Sequence, residues 1–169
     1  MDANRRRQEI LSALRQSPQP LSASALAGRF AVSRQVVVGD IALLRAGGAE
    51  IDATPRGYIL GRPAGLLRTV ACCHTPEEMA GELYAVVEQG CTVLDVIVDH
   101  PLYGQLTGPL RLGSRYEVDR FLTRCQTAEA QPLSLLTEGT HLHTLVCPSQ
   151  AAYEGALEAL RALGVLLEA

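Results

Sequence analysis

Histidine is scarce in this chain, and each of the four histidines lies at an end or on a face of an apolar segment. His74 directly precedes a predicted helix start, and His100 follows a buried apolar run. His141 and His143 flank Leu142, so on a strand both imidazoles would point to the same face. Imidazoles that are held in this way can serve a metal site. The last hundred residues are therefore typical of a binding domain.

The composition is that of a globular protein of one domain or two small ones, with 169 residues of which 47% are hydrophobic. No apolar run approaches the roughly 18 residues that a membrane span needs, and the first residues lack a signal-peptide core. Five cysteines without CxxC spacing suit reduced thiols. We therefore expect a cytoplasmic protein with no membrane partner. Of Cys72 and Cys73, at most one could join a metal site, because adjacent strand residues face opposite sides.

The charges are distributed unevenly along the chain. The net charge of −3 would by itself argue against a nucleic-acid partner. However, residues 1–62 contain nine arginines and five acidic residues, whereas residues 63–169 contain six arginines and thirteen acidic residues. A basic N-terminal third joined to an acidic remainder is the asymmetry expected of a DNA-binding module with a separate sensor.

The N-terminal third has the pattern of a winged helix-turn-helix domain. Apolar residues at helical spacing, punctuated by proline and glycine, predict helices over 4–16, 22–30 and 33–46. Two short alternating runs predict a β-hairpin wing over 50–54 and 57–60. Four apolar residues of the third helix can face inward: Val36, Val37, Ile41 and Leu44. The first domain is therefore predicted to span 1–62.

The third helix would be the recognition helix, with its first residues directed towards base edges in the major groove. Arg34 and Gln35 are the best candidates to read bases, because arginine pairs with guanine and glutamine with adenine. Ser33 suits a phosphate contact, and it suits the helix N-cap equally well. Arg45 has scope to face outward from the same helix, and Arg56 at the wing tip suits a minor-groove or phosphate contact. The alternative is that these arginines only solvate a small protein-interaction domain.

Predicted strands and helices alternate in the rest of the chain, after a linker at 62–65. The predicted strands are 66–73, 92–98, 133–136, 141–147 and 165–167. The predicted helices, with their caps, are 75–89, 114–128 and 149–163. The segment 100–112 is interrupted by glycine and proline and is predicted to be irregular, and strands 133–136 and 141–147 are predicted to form a hairpin. Because each helix needs a sheet face to cover, residues 66–169 are predicted to form an α+β sandwich.

Several motifs resemble one known family. The run from Val32 to Arg45 (VSRQVVVGDIALLR), followed by 53–58 (ATPRGY), closely resembles the DNA-binding domain of niacin-responsive repressors of NAD biosynthesis. These repressors join a winged helix to a three-histidine (3H) domain. The second half of the chain is similar to that domain at His74, at 98–104 (VDHPLYG) and at 139–143 (GTHLH). The resemblance covers nearly the whole chain, and its motifs fall in the right order.

The resemblance implies a dimeric transcriptional repressor of NAD biosynthesis or niacin uptake genes, with nicotinic acid as co-repressor. It also implies a divalent transition-metal site, whose ligands would be His74, Glu82, His141 and His143. Three imidazoles and one carboxylate suit Zn²⁺, Ni²⁺, Fe²⁺ or Co²⁺. Glu82 lies about two turns into its predicted helix, roughly 10–12 Å from the helix start, so His74 would have to fold back over the helix. Glu77 and Glu78 are nearer in sequence, but Glu78 is the expected capping-box partner of Thr75.

The small ligand would need an apolar slot for its pyridine ring and a partner for its carboxylate. His100, oriented by Asp99, and Tyr103 are the candidate ligand-binding residues. Arg111 and Arg115 are candidate carboxylate clamps, although a solvent-facing charge is the commoner role of such residues.

Two other functions are compatible with the same residues. The metal itself could be the signal, which would make the protein a metal-responsive transcriptional regulator. A metal site with an open position could also activate water, as in a metal-dependent hydrolase. Four protein ligands leave less room for a catalytic water than three, and the fused DNA-binding domain favours sensing. We therefore assign no catalytic residues and predict a regulator that is not an enzyme.

Overall fold

A computed structural model of the protein describes residues 2–61, 64–128 and 130–169. The chain divides into two compact units, residues 1–62 and 63–169, which are described separately below. Two residues of the predicted linker, Arg62 and Pro63, lie outside the described residues. No helix in the described part of the chain has the length and apolar character that a membrane crossing requires.

The first unit contains three helices and a two-stranded antiparallel hairpin among its described residues. In chain order these are α1 (Ala3–Gln16), α2 (Ala23–Phe30), α3 (Arg34–Ala46), β1 (Ile51–Thr54) and β2 (Gly57–Leu60). Ala31 ends α2 in the left-handed conformation, with φ of 53°. Ser33 then caps α3, because its hydroxyl accepts a hydrogen bond from the backbone N–H of Val36. The predicted order of three helices and a wing is confirmed.

One face of α3 packs into the core of this unit through Val37 and Ile41. The prediction that Val36 faces inward is wrong, since 38% of this side chain is exposed. Successive residues on a helix are rotated by about 100°, so Val36 and Val37 cannot both belong to the narrow buried stripe along one side of α3. The stripe includes Asp40, which is only 4% exposed.

Asp40 joins α3 to α1 through two arginines. Arg6 Nε donates to Asp40 Oδ2 at 2.6 Å, and Arg7 Nη1 lies 3.3 Å from Oδ1. This buried carboxylate is satisfied by charged partners, as a buried acid must be. The sequence analysis did not find this contact, because Asp40 is more than thirty positions away from both arginines.

The second unit is a five-stranded antiparallel sheet covered by helices. Its described strands and α-helices are β3 (Leu66–Cys73), α4 (Met79–Val87), β4 (Thr92–His100), β5 (Gly104–Leu112), α5 (Arg115–Thr127), β6 (Thr140–Cys147), α6 (Gln150–Ala162) and β7 (Leu166–Leu167). The strand order is β5-β4-β6-β3-β7. Leu83 of α4, Val118 of α5 and Leu160 of α6 pack with Val70 and Leu145 of the sheet in one apolar core. The predicted α+β class is confirmed.

Two predictions of local structure in this unit are wrong. Residues 104–112 form strand β5, where an irregular segment was predicted. Pro109 is tolerated because β5 lies at the edge of the sheet, where a strand can lack one N–H donor. Residues 133–137 form a 3₁₀ turn and do not pair with β6 as a hairpin. Strand β6 lies between β4 and β3, so neither of its edges is free for another strand.

Candidate metal centre

Three histidines and one glutamate meet in the interior of the second unit. Glu82 Oε2 lies 2.6 Å from His74 Nε2, and Glu82 Oε1 lies 2.8 Å from His141 Nε2. His143 Nε2 lies 3.2 Å from the same Oε1 atom. All four side chains are buried, and Glu82 is only 1% exposed. The four predicted metal-site residues are therefore brought together.

Strand β6 and the start of α4 position these side chains. His141 and His143 point to the same face because side chains alternate along a strand, and they pair with Cys72 and Val70 of β3. His74 follows the last residue of β3. Glu82 lies in the first turn of α4, because a short 3₁₀ turn over Pro76–Glu78 precedes the helix. The α-helix starts later than predicted, which removes the two helical turns that would have separated Glu82 from the helix start.

A main-chain carbonyl holds the other ring nitrogen of each histidine. His74 Nδ1 lies 2.8 Å from the Thr75 oxygen, and His141 Nδ1 lies 2.8 Å from the Gly139 oxygen. His143 Nδ1 lies 2.5 Å from the Asp95 oxygen. A carbonyl only accepts hydrogen bonds, so each Nδ1 carries a proton, and in the neutral ring that a metal would bind this is the sole ring proton. Each Nε2 then directs a lone pair towards the Glu82 carboxylate.

Lone pairs that converge on a buried carboxylate require a cation or protons between them. His143 Nε2 shows this most clearly: it is buried and lies close to Glu82 Oε1, yet its direction allows no hydrogen bond. Three imidazole nitrogens and one carboxylate are the donors that Zn²⁺, Ni²⁺, Fe²⁺ or Co²⁺ would take. Metal-bound histidines in proteins are usually oriented by a carbonyl or carboxylate that accepts a hydrogen bond from the other ring nitrogen. The main-chain carbonyls beside the three Nδ1 atoms have this position. The residues present therefore fit a divalent transition metal.

The close contact between Glu82 and the histidines shifts the pKa values of Glu82, His74 and His143. Burial alone would raise the pKa of Glu82, but interactions with His141, His143 and His74 outweigh burial and hold this pKa well below its usual range. Burial alone would lower the pKa of His74 and of His143. The nearby Glu82 carboxylate outweighs burial in both cases, and both pKa values are raised. Without a metal, Glu82 therefore favours its ionised form, and His74 and His143 favour an additional proton.

Of the two adjacent cysteines, only Cys72 lies on the side of the histidines. Cys72 is fully buried and pairs with His141 across the sheet. Burial, together with the Glu82 charge, raises the pKa of the Cys72 thiol. Metals bind the thiolate form, so this thiol is a poor ligand beside Glu82. The sulfur of Cys73 lies 4.0 Å from the carbonyl oxygen of Glu138 instead.

A cavity of about 70 Å³ adjoins the histidine cluster. His74, Glu82, His141 and His143 form one side of it. The remaining wall is mostly apolar and consists of Met79, Leu83, Val96, Leu110, Phe121, Cys125, Pro132, Leu133 and Ser134. A planar ring beside a metal would meet hydrophobic and aromatic side chains here, as ligands in protein pockets generally do.

The predicted ligand-binding residues lie elsewhere, at the turn between β4 and β5. His100 Nδ1 accepts hydrogen bonds from the backbone N–H groups of Leu102 and Tyr103. The rings of His100 and Tyr103 lie 5.0 Å apart, and Tyr103 is 70% exposed. Asp99 is also exposed. These residues do not line the cavity beside the histidine cluster, and nothing in their surroundings identifies a ligand.

The two candidate carboxylate clamps also lie outside the cavity wall. Arg115 pairs with Glu88 and lies 4.1 Å over the ring of Tyr84. Arg111 is buried and has a left-handed backbone, with φ of 52°. Neither residue lines the cavity beside the histidine cluster.

The predicted DNA-contacting residues lie on the surface of the first unit with different local roles. Arg34 and Gln35 are exposed in the first turn of α3. The Ser33 hydroxyl is occupied as the cap of that helix. Arg45 donates from Nε to the carbonyl oxygen of Ile51 at 2.7 Å and so fastens α3 to the wing. Arg56 Nη1 lies 3.4 Å from Gln19 Oε1.

Two residues that position the cluster were not found by the sequence analysis. Asp95 supplies the carbonyl that holds His143, and Gly139 supplies the one that holds His141. The signal for Asp95 was present as a lone charge within the apolar run 92–98. Gly139 was interpreted as part of a hairpin turn and of the 139–143 motif, and no contact with His141 was assigned to it.

Both parts of the chain match known protein domains. Residues 67–169 match the 3H domain, and residues 6–59 match an HTH domain. The chain is 43% identical over 164 residues to the probable transcription repressor NiaR of Thermotoga maritima, covering 96% of this chain and 94% of the relative. It is 42% identical over 173 residues to the transcription repressor NadR of Bacillus subtilis, covering 99% of this chain and 96% of the relative.

The chain belongs to the family of proteins that join an HTH domain to a 3H domain. The family resemblance predicted from the sequence is therefore confirmed. Both relatives are named as transcription repressors, which favours a regulator over an enzyme.

Proposed function

We propose that the protein is a DNA-binding transcription repressor of NAD biosynthesis or niacin uptake genes, acting as a cytoplasmic homodimer. In this proposal His74, Glu82, His141 and His143 hold a divalent transition metal, and nicotinic acid is the co-repressor. The observation that carries the proposal is the buried histidine–glutamate cluster beside an apolar cavity, in a chain with a separate helix-turn-helix unit. The similarity of nearly the whole chain to two transcription repressors supports it.

The first unit would bind operator DNA through the start of α3. Arg34 and Gln35 are exposed there and free of the helix cap, which Ser33 provides. An exposed arginine and glutamine at this position can reach base edges in the major groove. Arg45 would act indirectly, because its contact with Ile51 sets the wing against α3.

The second unit would hold the co-repressor in the apolar cavity. A metal in the cluster would supply a positively charged centre that can bind a carboxylate or a pyridine nitrogen. Phe121 and Leu133 of the cavity wall would exclude water from the ring of the ligand. The three histidines would stay oriented by the hydrogen bonds of their Nδ1 atoms to main-chain carbonyls, so these ligands need little reorganisation.

Ligand binding can tighten operator binding only through linkage. A ligand favours the DNA-binding arrangement by its differential affinity for that arrangement. In a dimer, two recognition helices must match half-sites about one DNA turn apart or a multiple of it. A small rearrangement in the second unit that changes the spacing of the two recognition helices would therefore change the affinity for operator DNA.

The small cavity favours a second candidate, in which the metal alone is the signal. An engineered cavity that binds benzene has a volume of about 150 Å³, whereas the cavity here measures about 70 Å³. Nicotinic acid is larger than benzene, so the cavity wall must move to admit it. A metal-responsive regulator would need no such movement. Hydrolase activity is the remote alternative, and no observation favours it.

The test is fluorescence anisotropy on labelled duplexes from upstream of NAD-salvage and niacin-transport genes. The protein would be titrated with and without nicotinic acid, in metal-loaded and chelated form, at fixed salt because phosphate contacts make affinity salt-dependent. We expect nicotinic acid to tighten binding only in the metal-loaded protein. His141→Ala should lose this response and retain weak DNA binding, whereas its control His100→Ala should retain the metal. A response to metal alone would establish the second candidate.

A further inference from the structure

Strand β4 contains one extra residue where it passes the histidine cluster. Val93 pairs with Leu145 of β6, and Ile97 pairs with Leu142. Four steps along β4 therefore correspond to three steps along β6, which is a β-bulge. Asp95 lies in the middle of this stretch. Bulges of this kind commonly redirect a group beside a functional site.

Asp95 uses the bulge to make two contacts with successive residues of β6. Its carbonyl oxygen lies 2.5 Å from His143 Nδ1. Its side-chain Oδ1 accepts a hydrogen bond from the backbone N–H of Thr144 at 2.8 Å. In a regular ladder such an N–H would bond to a carbonyl of the neighbouring strand. The side chain replaces that carbonyl, which leaves the carbonyl of Asp95 available to the histidine ring.

The other neighbour of β4 is also irregular at this point. Val93 pairs with Leu112 of β5, and Asp95 pairs with Pro109, so β5 contains the extra residue here. Arg111 lies within that insertion and has a left-handed backbone. Strained conformations of this kind persist only where the surrounding structure holds them in place. The pairing of β4 is therefore irregular around Asp95 on both sides, with β5 and with β6.

We propose that Asp95 is a positioning residue of the metal centre, which acts through His143. The carboxylate of Asp95 holds the bulge, the bulge directs the carbonyl of Asp95 to His143 Nδ1, and the resulting tautomer directs the His143 Nε2 lone pair to the metal. This inference rests on the proposed metal site and assigns a role to a residue outside the ligand set. Outer partners of metal-bound histidines typically change metal affinity by about 10- to 100-fold when they are removed.

The test uses two variants of the full-length protein. Asp95→Ala removes the acceptor for Thr144, so the bulge is free to relax. Asp95→Asn keeps an oxygen acceptor at the same position. We expect Asp95→Ala to weaken Co²⁺ binding by about 10- to 100-fold and to change the visible absorption spectrum of bound Co²⁺, which reports the ligand set. Asp95→Asn should restore both properties to nearly wild-type values. Asp99→Ala, on the same strand but exposed, is the control and should match the wild type.

A second comparison separates positioning from a general structural effect. In a His143→Ala background, Asp95→Ala should cause little further loss of Co²⁺ affinity, because the ligand through which it acts is absent. An equal loss in both backgrounds would overturn the proposal. Wild-type affinity and an unchanged spectrum in Asp95→Ala would overturn it as well.

Nuclear magnetic resonance of the metal-free protein keeps this test independent of the proposed function. At a pH above the pKa of the His143 ring, where the ring is neutral, nitrogen-15 shifts report which of its nitrogens carries the proton. We expect the Nδ1–H form in the wild type and its loss in Asp95→Ala. If the wild type bound no Co²⁺, the proposed metal centre would fail, and the spectra would still decide whether Asp95 orients His143. An unchanged tautomer would refute the orienting role.

Discussion

Gly139 lies so close to His74 that no side chain fits between them. A Cβ atom on Gly139 would lie 2.3 Å from the carbonyl oxygen of His74, and the φ angle of Gly139 is +94°. The carbonyl of Gly139 also accepts the hydrogen bond from His141 Nδ1. This glycine therefore joins the segment that holds His74 to the strand that holds His141.

Gly139→Ala should destabilise the second unit and damage the metal centre together. We expect the free energy of unfolding to fall by about 3 kcal/mol, because a left-handed L-residue costs about 1–3 kcal/mol and the backbone of His74 must also move. Denaturant unfolding and a Zn²⁺ titration would measure the two effects. The control is Gly104→Ala, which also has positive φ but open space around it. It should cost only about 1–2 kcal/mol and leave Zn²⁺ affinity unchanged; equal effects of the two variants would refute the contact argument.

Glu82→Gln should weaken Zn²⁺ binding by at least about 100-fold, because losing a direct anionic ligand should exceed the cost of losing an outer partner. Glutamine conserves the volume of the buried side chain, so packing changes little. Isothermal titration calorimetry on the metal-free protein would measure the affinity. Glu77→Gln removes an exposed carboxylate from the preceding turn and should bind Zn²⁺ as the wild type does. If Glu77→Gln weakened Zn²⁺ binding more than Glu82→Gln did, the metal would instead lie at the turn that contains Glu77.

The stabilisation by metal should increase with pH. In the metal-free protein, Glu82 outweighs burial and raises the pKa of His74 and His143 above 6.5. A raised histidine pKa contributes stability that is present below the unfolded value and is lost as the pH rises through the folded value. Metal binding has the opposite dependence, since its ligands must lose protons. Calorimetry with Zn²⁺ or a chelator should therefore show a larger difference in Tm at about pH 8 than at about pH 6.

The outcome that would contradict this prediction is a Tm difference that is constant or shrinks with increasing pH. His141→Ala serves as the control, because it should abolish the difference at every pH. At a free Zn²⁺ concentration of about 100 times Kd, the wild type should gain about 2.7 kcal/mol of unfolding free energy.

Arg34→Ala should weaken operator binding by about 1–3 kcal/mol, with or without nicotinic acid. The reason is that Arg34 lies exposed at the start of the recognition helix, in a unit separate from the metal centre. Anisotropy titrations on operator and scrambled duplexes would distinguish base reading from phosphate contact. Arg120→Ala removes the same charge from the second unit and should leave the affinity unchanged. Equal affinities of Arg34→Ala and the wild type would remove this arginine from the DNA interface.

The sequence was sufficient for features that depend on local patterns. Helical spacing and caps such as Ser33 predicted the elements of the first unit, because local hydrogen bonds and apolar periodicity determine where helices begin and end. Alternation along a strand predicted that His141 and His143 share a face. Failures occurred where other strands decide the outcome. Residues 104–112 form a strand because an edge position of the sheet tolerates Pro109.

The sequence by itself determined the fold class, the two parts of the chain and, through its resemblance to a family, the residues of the candidate metal site. Only the tertiary structure decided how those residues meet. The 3₁₀ turn before α4 brings Glu82 to His74, and the bulge at Asp95 orients His143. The His100 turn, which looked equally promising in the sequence, lies outside the cavity. The physical reason is that hydrogen bonds between residues distant in sequence direct each ring, and a local pattern contains no information about such partners.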